Sequence, residues 1–121
     1  MTCADAMRRQ FRKCVPQERL LDALEIMEAD ASDWAAVVES HENPRWLGWI
    51  TLRDAALFLG AFDRRPSEVM CEELISAAPM LLAPADSLDS ARSALDQLRL
   101  DRLPVVDNGL LAGILARAPG S

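Results

Sequence analysis

The sequence predicts a mixed α/β fold of the α+β type that is made of two tandem repeats. A proline-led helix pattern, a short apolar strand that ends in an acid and a strand that carries a glycine occur twice in the same order. The strand patterns are continuously apolar, as in buried strands, whereas the helix patterns place apolar residues three and four apart. Because one unit of this size cannot cover its own sheet, we expect two βαββα repeats, residues 1–63 and 64–121, packed through their sheets.

The two copies share few identical residues, and the evidence for a repeat is that matching segments occur in the same order in both. Asp5-Ala6-Met7 is predicted to match Glu68-Val69-Met70 at the start of each copy. Near the end of each copy, the glycine-bearing strands match at Gly48 and Gly113. A chance match at one place is common, but matches in the same order along both halves indicate a duplication.

Each copy contains one predicted helix that follows a proline. The first lies between residues 17 and 30, and its apolar stripe comprises Leu20, Leu21, Leu24 and Met27. In the second copy, Asp86 is the expected N-cap, and the stripe comprises Leu88, Ala91, Leu95 and Leu98. Each stripe is expected to face a sheet.

Each helix is followed by a predicted pair of antiparallel strands. Asn108-Gly109 favours a tight hairpin between strands 104–107 and 110–115. In the first copy, the longer loop 40–45 joins strands 35–39 and 46–50. A further helix is expected over 52–62 and should end at Gly60 or before Pro66. The second copy ends with Ala118-Pro119-Gly120-Ser121 and is expected to lack that last helix.

Composition excludes several classes of protein. The 121 residues carry 13 Lys and Arg against 19 Asp and Glu, and a net charge of −6 argues against binding to nucleic acid. No apolar run reaches the roughly 20 residues of a membrane span, and the N-terminus lacks the pattern of a secretory signal. We therefore expect no membrane association and a cytoplasmic location. The cysteines, Cys3, Cys14 and Cys71, are expected to be buried apolar residues.

Catalytic and metal sites have no supporting pattern in the sequence. The single histidine, His41, has no neighbouring combination of Ser and Asp or of Cys and Asp. We expect neither catalytic residues nor metal ligands, and the chain is not expected to be an enzyme.

The order of these motifs resembles a tandem pair of cystathionine β-synthase (CBS) domains, also called a Bateman module. The resemblance lies mainly in Leu103-Pro104-Val105-Val106-Asp107-Asn108-Gly109 and in Gly48-Trp49-Ile50-Thr51-Leu52-Arg53-Asp54, the family's Gly-x-x-Thr-x-x-Asp ending. It implies a regulatory module without catalysis that binds AMP, ADP, ATP or S-adenosylmethionine in a cleft between the two copies. It also implies a flat homodimer that passes its bound state to a partner protein, whose identity the sequence does not specify.

The best motif has a physical basis and an ordinary alternative. Thr51 is placed as the N-cap of the predicted helix, where free backbone N–H groups suit a phosphate and the Thr51 hydroxyl can donate to phosphate or ribose. The resemblance gives Asp54 the role of accepting from the ribose hydroxyls. The alternative is a capping box, because Thr followed three residues later by an acid stabilises any helix start.

The second copy departs from the family pattern. Aligned on Gly113, it has Ala116 at the position of Thr51 and Pro119 at the position of Asp54, so that at most one family-type site is expected.

The family also encloses the base with residues before the second strand of each copy. In this chain these are Asp33-Trp34-Ala35 and Asp101-Arg102-Leu103. Trp34 can stack on an adenine and Arg102 can reach a phosphate, whereas the alternatives are an aromatic side chain at the core edge and a solvated arginine.

Two functions from different classes follow. The first is a ligand sensor that binds an adenine nucleotide at Gly48, Thr51 and Asp54. The second is a dimerisation or protein-interaction module that kept the fold without the ligand, which the altered second site favours. A homodimer is expected in either case, because apolar aromatic residues, namely Trp46, Trp49, Phe58 and Phe62, lie in the poorly covered later part of the first copy.

Overall fold

The fold is mixed α/β, as the sequence predicts. The computed structural model describes residues 1–117. Its helices and strands, in chain order, are α1 (Cys3–Ala6), β1 (Lys13–Cys14), α2 (Leu20–Asp30), β2 (Trp34–Val38), β3 (Trp46–Thr51), α3 (Leu52–Phe62), two short 3-10 helices (Pro66–Glu68 and Cys71–Leu74), α4 (Leu88–Leu98), β4 (Arg102–Asp107) and β5 (Leu110–Ala116).

The chain forms two compact units, whose limits differ from the predicted division at residue 63. The first unit is Arg12–Ala77, and the second combines Met1–Phe11 with the described chain from Ala78 onward. Residues 64–77 stay with the first unit because their backbone is bonded to it: Leu20 N donates to Val69 O (2.7 Å) and Cys71 N donates to Glu18 O (2.8 Å).

Unit 12–77 is built on a three-stranded sheet in the order β1-β2-β3. The strand β1 is parallel to β2, and β2 is antiparallel to β3, which confirms the predicted strand pair. One face of α2 packs on this sheet through Leu20, Ala23 and Met27. The helix begins at Leu20, later than predicted, because the Asp22 carboxylate accepts from Arg19 N (3.0 Å) and sets the first turn there.

The second unit has its own core around a hairpin. The strands β4 and β5 are antiparallel and turn at Asn108 and Gly109, which have φ of 52° and 84°, as the Asn-Gly signal predicts. The helix α4 packs its predicted stripe, except the exposed Leu98, into this core. The expected N-cap Asp86 is wrong. Ser87 caps α4 through Ser90 N, whereas the Asp86 carboxylate accepts from Ala83 N (2.8 Å) in the preceding turn.

Equivalent short segments begin the two copies, but their predicted alignment is wrong. Cys3 N donates to Asp86 O just before α4, as Cys71 N donates to Glu18 O just before α2, so Cys3 corresponds to Cys71. Met7 then corresponds to Ile75, since each lies against the strand glycine of its unit. We call residues 1–8 and 69–76 the leader segments. Leader 69–76 packs with α2, and leader 1–8 packs with α4. Each unit therefore contains one leader that is distant in sequence from the helix on which it packs.

The three cysteines are free and fully buried, as expected. A hydrogen bond with Cys71, together with burial, raises the pKa of Cys14. Burial, with a smaller contribution from the nearby Asp86 charge, raises the pKa of Cys3. These thiols therefore behave as small core residues.

Within residues 1–117, the longest helices have 11 residues, and none is long and apolar enough to cross a membrane.

Replacement of Gly48 tests the close approach of leader 69–76 to β3. At Gly48, φ is 154°, and an added Cβ would lie 2.3 Å from Ser76 O. Gly48→Ala should lower the free energy of unfolding of unit 12–77 by about 2–4 kcal/mol, since backbone has to move and the conformation is strained. Urea denaturation followed by tryptophan fluorescence measures this, because all three tryptophans lie in that unit.

Gly60→Ala is the matched control. An added Cβ at Gly60, inside α3, meets nothing within 4 Å, and alanine should stabilise the helix by about 0.5–1 kcal/mol. Equal effects of the two substitutions would contradict the close approach at Gly48.

Candidate functional site

The start of α3 carries the residues that the sequence singles out. Thr51 ends β3 and is the N-cap of α3, where its Oγ1 accepts from Asp54 N (3.1 Å). Leu52 N donates to Asp33 O (2.8 Å). Among residues 1–117, only the Arg53 N–H remains without a hydrogen-bond partner in this first turn, so fewer donors are free for a phosphate than predicted. The Thr51 hydroxyl still has its own proton to donate.

Asp54 does not close the capping box that was the alternative for this motif. Its Oδ2 instead accepts from the Ser76 hydroxyl at 3.1 Å, and both side chains are half-buried. The reciprocal bond from Thr51 N to the Asp54 carboxylate is not formed among the described residues. The Asp54 carboxylate is therefore held toward the leader 69–76.

Gly48 brings this leader to the sheet. Ser76 N donates to Trp49 O, and Trp49 N donates to Ser76 O, both at 2.8 Å, so the end of the leader is joined to β3 by one antiparallel bridge. The Ser76 carbonyl lies where a side chain at position 48 would be. Gly48 therefore acts through the backbone geometry that places Ser76 next to Asp54.

A pocket of about 250 Å³ opens where α3 meets the leader. Its walls comprise Asp54, Phe58, Glu73, Leu74, Ile75 and Ser76. An aromatic ring and two aliphatic side chains give it an apolar side, and two carboxyl groups and a hydroxyl give it a polar side. This combination suits a ligand with an apolar ring system and several hydroxyl donors.

An ion pair holds the leader at the rim of this pocket. Arg64 Nη1 lies 2.9 Å from Glu73 Oε1, and Arg64 Nη2 donates to Glu68 O at 2.8 Å. The Met70 N–H and the Arg64 guanidinium both lower the pKa of Glu73. Glu73 is therefore charged at neutral pH, and its charge is partnered by Arg64.

Trp34 and Ala35 lie at the start of β2, next to Thr51. Ala35 is buried and pairs with Ile50, so its side chain belongs to the core of unit 12–77. The Trp34 ring lies edge-to-face against Trp49, with ring centroids 5.2 Å apart, and Trp46 contacts Trp49 in the same way at 4.6 Å. Trp34 thus borders the α3 start as part of an aromatic cluster.

Arg102 and Leu103 belong to the other unit, at the start of β4. Leu103 is buried and pairs with Leu115, and Arg102 pairs with Ala116. Trp34 pairs with Thr51 in the same register, which agrees with the predicted match of Ala116 to Thr51. Pro119, predicted to match Asp54, lies outside the described residues.

Comparison with known proteins identifies this fold. Residues 67–118 match the family model for the CBS domain. The CBS domains of a transcriptional regulator from Streptococcus pneumoniae superpose with a TM-score of 0.81 at 20% identity, over 97% of this chain and 93% of that one. The chain is a CBS-domain module.

Further similarities agree with this assignment. CBSX2, solved in complex with AMP, superposes on the module with a TM-score of 0.78 at 24% identity, over 96% of this chain and 90% of that one. Inosine-5'-monophosphate dehydrogenase of Staphylococcus saprophyticus is 30% identical over 100 residues, 83% of this chain. The module spans only 20% of the length of the dehydrogenases it matches.

Of the six residues that line the pocket, only Asp54 is identified from the sequence of this CBS module, and five are missed: Phe58, Glu73, Leu74, Ile75 and Ser76. Phe58, which the sequence predicts to meet a partner in a dimer, is half-buried and forms a pocket wall. Glu73 and Ser76 lie far from Asp54 along the chain, and only the pairing of the leader with β3 brings them close. The signal available for them was Gly48, whose missing side chain indicates a close approach of backbone.

The pH dependence of stability tests the ion pair at the pocket rim. Because the pKa of Glu73 is lowered in the folded state, its stabilising effect is present above its ordinary value of 4.5 and is lost as the pH falls through the folded-state pKa. Glu73→Gln should destabilise unit 12–77 at pH 7. The difference from wild type should shrink as the pH falls below 4.5, measured by urea denaturation with tryptophan fluorescence.

Glu72→Gln is the control for this experiment. Glu72 is the exposed neighbour of Glu73 on the same short helix. A deficit of Glu73→Gln that stayed constant between pH 7 and pH 3, or that Glu72→Gln reproduced, would contradict the role of the ion pair.

Proposed function

We propose that this CBS module is a regulatory ligand sensor that binds an adenosine-containing nucleotide in the pocket of unit 12–77. The observation that carries the proposal is the Asp54 carboxylate, fixed by Ser76 at the wall of a pocket with one apolar side. The AMP complex of CBSX2, which has the same fold, supports this class of ligand. The candidate ligands are AMP, ADP, ATP and S-adenosylmethionine.

Each part of such a ligand has a matching group. The ribose hydroxyls donate to the Asp54 carboxylate, a charged acceptor that binds hydroxyl donors strongly. The base lies against the apolar wall that Phe58, Leu74 and Ile75 provide. The 5′-phosphate is directed to the start of α3, where the Arg53 N–H and the Thr51 hydroxyl are donors at the positive end of the helix. Asp54 and Glu73 repel phosphate from the pocket interior.

The proposal is tested by titration with AMP in a calorimeter and by thermal unfolding. AMP should bind, and at 100 times its dissociation constant it should stabilise the binding unit by about 2.7 kcal/mol. Asp54→Ala should lower the affinity for AMP roughly ten- to a hundredfold, as the loss of hydrogen bonds to a charged group predicts, and should leave the circular dichroism spectrum unchanged.

Asp89→Ala is the matched control, since Asp89 is also an acid in the first turn of a helix but lies in the other unit. Its affinity for AMP should equal that of wild type. Absence of AMP binding to wild type, or unchanged binding to Asp54→Ala, would refute the proposed site.

The second candidate function is assembly through α3, the alternative in which the module serves as a dimerisation surface. Among the 11 residues of α3, only Ala55 is fully buried. Its large apolar side chains are exposed at three positions, with Leu57 at 62%, Phe62 at 63% and Leu52 at 48%. One face of α3 packs on the core of unit 12–77 through Ala55, Phe58 and Leu59. A second copy would cover the apolar side chains that remain exposed on the rest of this helix.

The structure revises which aromatic residues can serve that interface. Trp49 is only 6% exposed, and Trp46 and Phe58 are half-buried. Of the four aromatic residues predicted to meet a partner, Phe62 is the one that is exposed, whereas Trp49 is buried in its own unit.

Light scattering at several protein concentrations tests the homodimer. Wild type should have the mass of a dimer, and Leu57→Asp should have the mass of a monomer with unchanged circular dichroism. Leu81→Asp is the control, because Leu81 is also about half exposed but lies in a loop of the other unit. A monomeric wild type, or equal loss of the dimer in both variants, would exclude α3 as the interface.

A further inference from the structure

We infer that Ser76 is a positioning residue that orients the Asp54 carboxylate toward the ribose hydroxyls of the ligand. Ser76 thereby sets the preference of the pocket for ribonucleotides over 2′-deoxyribonucleotides. The inference rests on the proposed function and adds a residue that lies outside the Gly-x-x-Thr-x-x-Asp motif and comes from the second leader.

The contact itself is well defined. Ser76 Oγ donates to Asp54 Oδ2 at 3.1 Å, and both residues line the pocket. A hydroxyl bonded to an ionised carboxylate is stronger than a neutral pair, and partial burial shields it from competing water. Because Ser76 occupies Oδ2, Oδ1 is left as the more open acceptor for a ligand.

Donor and acceptor are attached to the same strand. Ser76 is fixed by its two 2.8 Å backbone hydrogen bonds with Trp49 in β3. Asp54 lies in the first turn of α3, directly after β3, and its N–H is bonded to the cap Thr51. The hydroxyl and the carboxylate therefore have little freedom to separate, and the carboxylate is held before the ligand arrives.

The other unit lacks this arrangement. Arg8 pairs with Ile114 there, just as Ser76 pairs with Trp49, so arginine stands at the position of Ser76. The same unit has Ala116 at the position of Thr51. The hydroxyl that would orient the carboxylate therefore occurs in the unit that also has Thr51 and Asp54.

Loss of the Ser76 hydroxyl should weaken binding of ribonucleotides more than binding of 2′-deoxyribonucleotides. Two adjacent ribose hydroxyls need a carboxylate of fixed orientation, whereas the base and the phosphate contact other groups. Without the Ser76 hydroxyl, the Asp54 side chain can rotate. The ribose 2′-hydroxyl then adds less to the binding affinity. A merely structural role for Ser76 would weaken binding of all nucleotides to the same extent.

The experiment measures dissociation constants of AMP and 2′-deoxy-AMP by calorimetry for wild type, Ser76→Ala and Ser76→Thr. Ser76→Ala should weaken AMP binding about tenfold, which is the scale of one hydrogen bond to a charged group, and should change 2′-deoxy-AMP binding less than twofold. Ser76→Thr keeps the hydroxyl and should stay within threefold of wild type. Ser93→Ala, an exposed serine on α4, is the control and should match wild type.

A double variant tests whether the effect of Ser76 acts through the Asp54 carboxylate. In an Asp54→Asn background, replacement of Ser76 by alanine should have no further effect on the ratio of the two affinities, since the oriented carboxylate is already lost.

The inference is overturned if Ser76→Ala binds AMP like wild type, or if it weakens AMP and 2′-deoxy-AMP by the same factor. Either result leaves the proposed function standing, provided that Asp54→Ala loses AMP. If wild type binds no AMP, the proposed function fails and the inference fails with it.

Discussion

The close approach of leader 69–76 to the backbone of β3 at Gly48 is the constraint on which the site depends. A side chain at position 48 would lie 2.3 Å from Ser76 O, so the two backbone bonds between Trp49 and Ser76 need a glycine there. These bonds place the Ser76 hydroxyl on Asp54 and form one wall of the pocket. The same device occurs in the other unit, where a side chain at Gly113 would meet Met7 and the Arg8 carbonyl.

The leaders also explain why the units are not continuous in sequence. A two-strand hairpin with one helix exposes a row of backbone groups at its edge, and each leader satisfies part of that row and adds a buried cysteine to the core. In unit 12–77 the leader returns after α3, so it can contact the start of that helix. The groups that define the pocket thus come from α3 and from leader 69–76. The ion pair between Arg64 and Glu73 stabilises the leader near its middle.

Local chemistry made much of this fold predictable. The hairpin turn at Asn108-Gly109, the helix over 52–62 and the Thr51 cap each depend on neighbouring residues and are present in the structure. The match of Thr51 to Ala116 was also predictable, because both copies keep the same strand register. The alignment of the leaders was not, since Met7 and Met70 share a residue type but not a place in the fold. Ser76 could not be assigned from local patterns, because its role arises only from pairing with a strand that ends 25 residues earlier.

A crystal structure of the chain grown with millimolar AMP would test the central claim most directly. We predict that the ribose hydroxyls lie within hydrogen-bond distance of the Asp54 carboxylate while Ser76 Oγ remains on Oδ2, with the base against Phe58. AMP bound elsewhere, or a complex in which Ser76 has separated from β3 and Asp54, would contradict it.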